Sequence, residues 1–198
     1  MARPASEEKR TAIMNATIGL VAAAGTGTST AKIAKKAGVA EGTVFTYFST
    51  KEALLSALLL ELEGELADIL LKDPLPGDEG REDMQHFWNR LIDWGVTNPT
   101  KWRTLKRLKI SSQVPDSIRT QGERRFDEAA VVLARALARQ AGEDANIRYA
   151  GIIMNAIAEA TFDAIADNPN QRETLKLRGF AVFWGGMAGL SQEGSLTL

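Results

Sequence analysis

Apolar residues recur along this chain every three or four positions rather than every second one, which is the spacing of helices. Ile13, Ala16, Leu20, Val21 and Ala24 keep it after Ser6, a suitable N-cap, until Gly25–Ser29 stops the run. A short second helix, capped by Ser29 or Thr30, carries Ile33, Ala34 and Ala37 and ends at Gly38. A third is expected from about Ala40 to Phe48. Ser49 and Glu52 then fit a capping box opening a long fourth helix, whose Leu55, Leu58, Leu62, Leu66 and Ile69 line one face. Residues 72–80 read as a loop. Further helices are expected over about 81–97, 116–140, 144–166 and 170–190, with another after the break at Asn98–Thr100. The pattern predicts an all-α chain of nine helices, with no strand and no repeat.

The third helix is the informative one. Helix, tight glycine turn, helix is the layout of a helix-turn-helix, whose second helix enters the major groove of DNA. At about 100° per residue, Val44, Phe45 and Phe48 are expected to face inward, and Gly42, Thr43, Thr46 and Tyr47 outward. Gly42 costs about 1 kcal/mol relative to alanine inside a helix, so bulk there is expected to obstruct something. Thr43 and Thr46 suit base edges, and the Tyr47 hydroxyl suits a phosphate. Thr30, at the start of the second helix, offers a second phosphate seat. Lys51 opposes the dipole of the fourth helix, a penalty that makes sense beside a polyanion. Glu41 fits poorly with that picture; accepting from a cytosine amine, pairing with a lysine and capping are all open to it, with a structural role ranked first.

Composition sharpens this reading. The net charge is −1, yet residues 1–51 hold seven basic side chains against three acidic ones. A basic head on an acidic body suits a polyanion bound through the head. No cysteine is present, which removes disulfides, thiolate metal sites and cysteine nucleophiles. His86 is the lone histidine, and no metal-ligand spacing or phosphate loop accompanies it. The chain is not expected to be an enzyme or to hold a cofactor. Its charged first ten residues and the lack of an 18-residue apolar run point to a cytoplasmic protein with no membrane partner. A helical protein-interaction module would explain the helices but not Gly42.

Thr28–Leu59, "TSTAKIAKKAGVAEGTVFTYFSTKEALLSALL", resembles the DNA-binding head of TetR-family transcriptional repressors. With "FWNRLIDWGVTNP" further on, the chain is most similar to the RamR-type multidrug-sensing members. The resemblance implies a homodimer bound to a palindromic operator and released by a small effector. Its domains would be 1–51, the helix-turn-helix head, and 52–198, for ligand binding and dimerisation. Thr30, Ala40, Thr43, Tyr47 and Lys51 would lie against DNA, with Arg3 and Lys9 in a basic arm. Ala40 stands where the family often has a polar side chain, and Glu41 where a basic or small residue is frequent.

In the body, the resemblance gives Trp88 the role of stacking a planar drug; a core tryptophan is the equal alternative. Leu62 and Leu66 would be wall residues, and Phe126 and Phe162 further pocket candidates. Glu159 interrupts an apolar helix, with Asp163 one turn on. Facing a cavity, it would favour a cationic effector beside Trp88; otherwise it is solvated. Lys101, Arg103, Lys106, Arg107 and Lys109 read as a solvated helix face. Phe180, Phe183, Trp184 and Met187, among the glycines of "GFAVFWGGMAGL", are expected at a dimer seam.

Overall fold

The structure, a computed structural model, describes residues 7–72, 80–141 and 147–188. It is all-α. The described helices are α1 (Glu7–Ala24), α2 (Thr30–Ala37), α3 (Glu41–Tyr47), α4 (Lys51–Leu70), α5 (Arg81–Thr97), α6 (Pro99–Lys109), α7 (Asp116–Glu123), α8 (Asp127–Ala141), α9 (Ile147–Asp167) and α10 (Arg172–Ala188).

Most helix ends are written locally. Ser29 caps α2, its hydroxyl accepting from the Lys32 amide at 3.4 Å. Gly38 ends α2 at φ 69°, a left-handed conformation that glycine adopts without Cβ strain, and the Val39 amide reaches back to Ala34 O at 3.0 Å. Two expectations are corrected. Thr50, not Ser49, caps α4, accepting from the Ala53 amide at 3.0 Å. The single helix expected over 116–140 is two, α7 and α8, separated by a 3₁₀ turn at Arg124–Phe126.

The chain divides into two compact units. The first comprises the residues up to Glu65 with Asn98–Arg125, so α1–α3, most of α4, α6 and α7. Ile13, Val21, Ile33, Val44, Leu55, Leu58 and Leu105 form its interior. Here α6 is stitched to α1. Thr104 Oγ1 lies 2.8 Å from Ile18 O, Arg107 donates to Val21 O at 2.9 Å, and Ser111 donates to Thr26 Oγ1 at 3.0 Å. Lys101 pairs with Glu65 at 2.6 Å and Lys109 with Glu63 at 3.1 Å. The basic run of α6 is thus a solvated face only in part: Arg103, Lys106 and Lys109 are exposed, yet Lys101 and Lys109 pair with carboxylates of α4, and Arg107 adds a second donor to a carbonyl at the C-terminal end of α1.

The second unit, Leu66–Thr97 and Phe126 onward, packs α5 against α8, α9 and α10. Met84, Phe87, Trp88, Leu91, Ile92, Leu133, Met154, Phe180 and Phe183 fill it. Asp93 on α5 accepts from Arg172 at 2.8 Å and Lys176 at 3.1 Å, which fixes α10 along α5.

Candidate nucleic-acid interface

The turn before α3 leaves Ala40 as its N-cap, at φ −68° and ψ 147°, with no side-chain bond. Val44 and Phe48 are buried and anchor the helix, with the Arg10 guanidinium 5.8 Å from the Phe48 ring centroid. Phe45 departs from expectation: it is 46% exposed. Val44 and Phe48 lie only about 40° apart on the helix, whereas Phe45 is about 100° from Val44. A seven-residue helix seated on those two side chains buries a narrow arc and leaves the ring outside.

The outward face of α3 therefore consists of Glu41, Gly42, Phe45 and Thr46, flanked by half-buried Thr43 and Tyr47. Two hydroxyls, one on this face and one at the start of α2, are already committed. Thr30 Oγ1 donates to Glu41 Oε1 at 2.6 Å, and Thr46 Oγ1 donates to Gly42 O at 3.1 Å. Glu41 thus takes the structural role ranked first, by fixing the start of α2 to the start of α3. Gly42 has ordinary backbone geometry, and a Cβ built on it meets nothing within 4 Å. Nothing among the described residues requires glycine there. Elsewhere in the head, Lys9 on α1 and Lys32 and Lys35 on α2 are exposed and Lys51 at the start of α4 is half-buried, none ion-paired among the described residues, while Lys36 lies back over Gly19. Arg3 lies outside the described residues.

Residues 13–58 match the family model described as bacterial regulatory proteins, tetR family. The match covers the helix-turn-helix and its flanks, so the head is similar to that of TetR-family regulators. The TetR-like architecture extends through the body as well. A chain described as a TetR family transcription regulator, from Shewanella sp. PV-4, superimposes with a TM-score of 0.78 at 28% identity, over 90% of this chain and 97% of that one. A second, from Marinobacter aquaeolei VT8, gives a TM-score of 0.78 at 24% identity over 90% and 95%. HTH-type transcriptional regulators of Mycobacterium bovis and Mycobacterium tuberculosis are 30% identical over 98 residues. That match spans 48% of this chain and 42% of each relative, so the chain aligns with less than half the length of these curated proteins.

In the TetR-like body, the predicted effector residues do not share one environment. Leu62 is buried in the first unit; Leu66 is buried in the second. Trp88 is fully enclosed: its indole N–H donates to Lys176 O at 2.9 Å, and its ring stacks on Phe183 at 6.1 Å and 5°. The indole hydrogen bond goes to that carbonyl and not to Glu159, which is half-buried, as are Phe126 and Phe162. The Phe162 ring occupies the space that a Cβ at Gly95 would need.

Phe180, Phe183 and Met187, expected at a subunit seam, are buried within the protomer itself; Trp184 alone of the four keeps partial exposure. Phe180 and Phe183 close on Trp88, which takes up the area meant for a partner. Large apolar side chains that α9 and α10 leave outside include Ile152, Leu177 and Val182, at 57%, 54% and 63% exposure, with Ile147 and Tyr149 at the start of α9. Sequence reasoning missed them because isolated aliphatic residues look alike on either face of a mostly apolar helix.

Among the described residues, no group of three or more metal-ligating side chains is assembled, and no helix is long and apolar enough to cross a membrane.

Proposed function

We propose that the protein is a ligand-responsive transcriptional repressor of the cytoplasm, binding a palindromic operator as a homodimer and released by a small, planar, largely apolar effector. The observation that carries the reading is Gly42, whose Cβ space is open within the protomer, on the recognition helix of a TetR-like head. Residues 1–51 read DNA and 52–198 take the effector and dimerise. Exposed Leu177 and Val182 on α10 and Ile152 on α9, with the open Cβ space of Gly185 and Gly186, support a dimer seam on these two helices: they offer apolar area and room for close approach.

The effector reading rests on the RamR-like resemblance and on the aromatic cluster of Trp88, Phe180, Phe183 and Trp184. With Phe183 stacked on Trp88, a planar ligand reaches the indole only by displacing that ring. Release requires tighter binding to the state that mismatches successive major grooves, about 34 Å apart. Because α4 runs unbroken from Lys51 to Leu70, its tilt is a means of moving the recognition helices.

Footprinting the protein on the DNA around its own gene, repeated with planar cationic and neutral ligands, tests the reading. Two protected half-sites that disappear with one ligand class are expected. Protection that is absent, or insensitive to salt, sinks it. In the same titration Trp88→Phe, which keeps the core filled, should shift the ligand concentration needed for release; an unchanged curve removes Trp88 from the effector site.

A further inference from the structure

Two of the four hydroxyls expected to meet DNA, those of Thr30 and Thr46, are committed to the protein, Thr43 and Tyr47 are half-buried, and the groups most exposed on α3 have a different chemistry. Thr30 donates to Glu41 and Thr46 to the Gly42 carbonyl. What remains outward is a carboxylate, a bare backbone, an aromatic ring and the methyl side of Thr46. From this, and resting on the DNA-binding reading above, we infer that Glu41 and Phe45 are specificity-determining residues that read pyrimidines: Glu41 accepts from a cytosine amine, and Phe45 packs on a thymine methyl.

Glu41 and Phe45 are one helical turn apart, so their side chains lie side by side on one edge of the face, with Gly42 beside them. Glu41 Oε1 is held by the Thr30 hydroxyl at 2.6 Å, which orients the carboxylate, while Oε2 has no partner among the described residues. A carboxylate has no donor, so among base edges in the major groove it is matched by the amino groups and repelled by the acceptors of guanine and by thymine O4. Adenine's amine sits beside the N7 acceptor; cytosine's stands alone. Phe45 offers no polar atom, and thymine alone among the bases presents a methyl group in that groove. The open space over Gly42 admits the duplex close enough for both contacts. The charge of the head fits the partner: Lys32 and Lys35 are exposed on α2, whose first residue is bonded to Glu41, so the one carboxylate is carried against phosphates by a head that stays basic overall. Thr30 is a positioning residue here, acting through Glu41.

The test begins with selection of a preferred duplex from a randomised library by the full-length parent protein. Binding is then compared with duplexes changed at single positions of one half-site, using parent, Phe45→Ala, Glu41→Gln and Thr30→Val. Replacing one thymine by uracil, which deletes only the methyl, should weaken the parent about fourfold, the worth of one buried carbon, and leave Phe45→Ala unaffected. Replacing one cytosine by thymine, paired accordingly, should weaken the parent about tenfold, and Glu41→Gln and Thr30→Val should lose most of that discrimination. Glu41 and Phe45 are exposed, so Phe45→Ala and Glu41→Gln should melt with the parent; one that melts early is replaced by Phe45→Leu or Glu41→Ala, and Thr30→Ser, which keeps the hydroxyl, should regain the discrimination that Thr30→Val loses. If the parent selects a site but no uracil or cytosine position responds, or the variants weaken every duplex alike, the inference is overturned while DNA binding stands. If the parent selects nothing and binds no duplex, the DNA-binding reading falls and takes this inference with it.

Discussion

Gly42 and Gly122 both sit inside helices with ordinary backbone angles, and they answer opposite questions. A Cβ at Gly42 meets nothing within 4 Å; one at Gly122 would collide with the Glu63 carboxylate. Gly122 is explained from within the protomer, since α7 closes on a side chain of α4 that leaves no room for a methyl group. Gly42 has no such explanation. The contrast separates a glycine kept for packing from one kept for something outside the protomer, and the two should respond to the same substitution with opposite signs.

The largest effect is expected at the closed position. Gly122→Ala must displace a carboxylate that is buried to 1% exposure, and should destabilise the protein by about 3 kcal/mol in urea unfolding. A loss below about 0.5 kcal/mol would mean that α7 and α4 are loosely packed, and the contrast would fail on that side. At the open position, Gly42→Ala should raise stability by about 1 kcal/mol through helix propensity alone, while weakening operator binding several-fold. Unchanged binding with a raised melting temperature would remove the external reason for Gly42.

The smallest effect concerns the carboxylate at the closed site. Burial pushes the Glu63 carboxyl above its ordinary value of 4.5; Lys109 opposes the shift by its charge and hydrogen bond, Glu123 adds to it, and Arg125 opposes it. The folded protein therefore holds this proton more tightly than the unfolded chain. Stability from this group is greatest at acid pH and declines as pH rises from the ordinary value through the raised folded one. Glu63→Gln lacks that titration, so its stability relative to the parent should improve as pH rises through this window. Parallel pH profiles for the two proteins would show that Glu63 is not the group responsible.

Which of these features was legible beforehand follows from the reach of each interaction. Helix spacing and the Gly38 turn are local, and the order of helices was read from them. The break between α7 and α8 was missed because "QGERRF" offers no proline and only one glycine, and that glycine answers to Glu63, 59 positions away in the chain. Glu61, Glu63 and Glu65 alternate within one apolar stretch and look equivalent. Glu61 is exposed and pairs with Arg10, Glu65 is half-buried and pairs with Lys101, and only Glu63 is enclosed. The partners come from α1 and α6, so no window on α4 could rank the three. Phe45 was misplaced for a simpler reason: an arc drawn from composition was too wide for so short a helix.

The stitching of α6 onto α1 has a consequence for modularity. The recognition helix looks like a portable cassette, since everything that faces outward on it lies within residues 30–51. Its scaffold is not portable. The last turn of α1 is closed by Arg107 on Val21 O, Thr104 on Ile18 O, and Ser111 and Gln113 on Thr26, all supplied from beyond residue 100. A chimera that transplants only the head onto another body loses those side-chain hydrogen bonds and leaves the floor of α1 without α6. On the DNA-binding reading, specificity is moved by exchanging side chains of α3 in place; exchanging the whole segment has to bring α6 along.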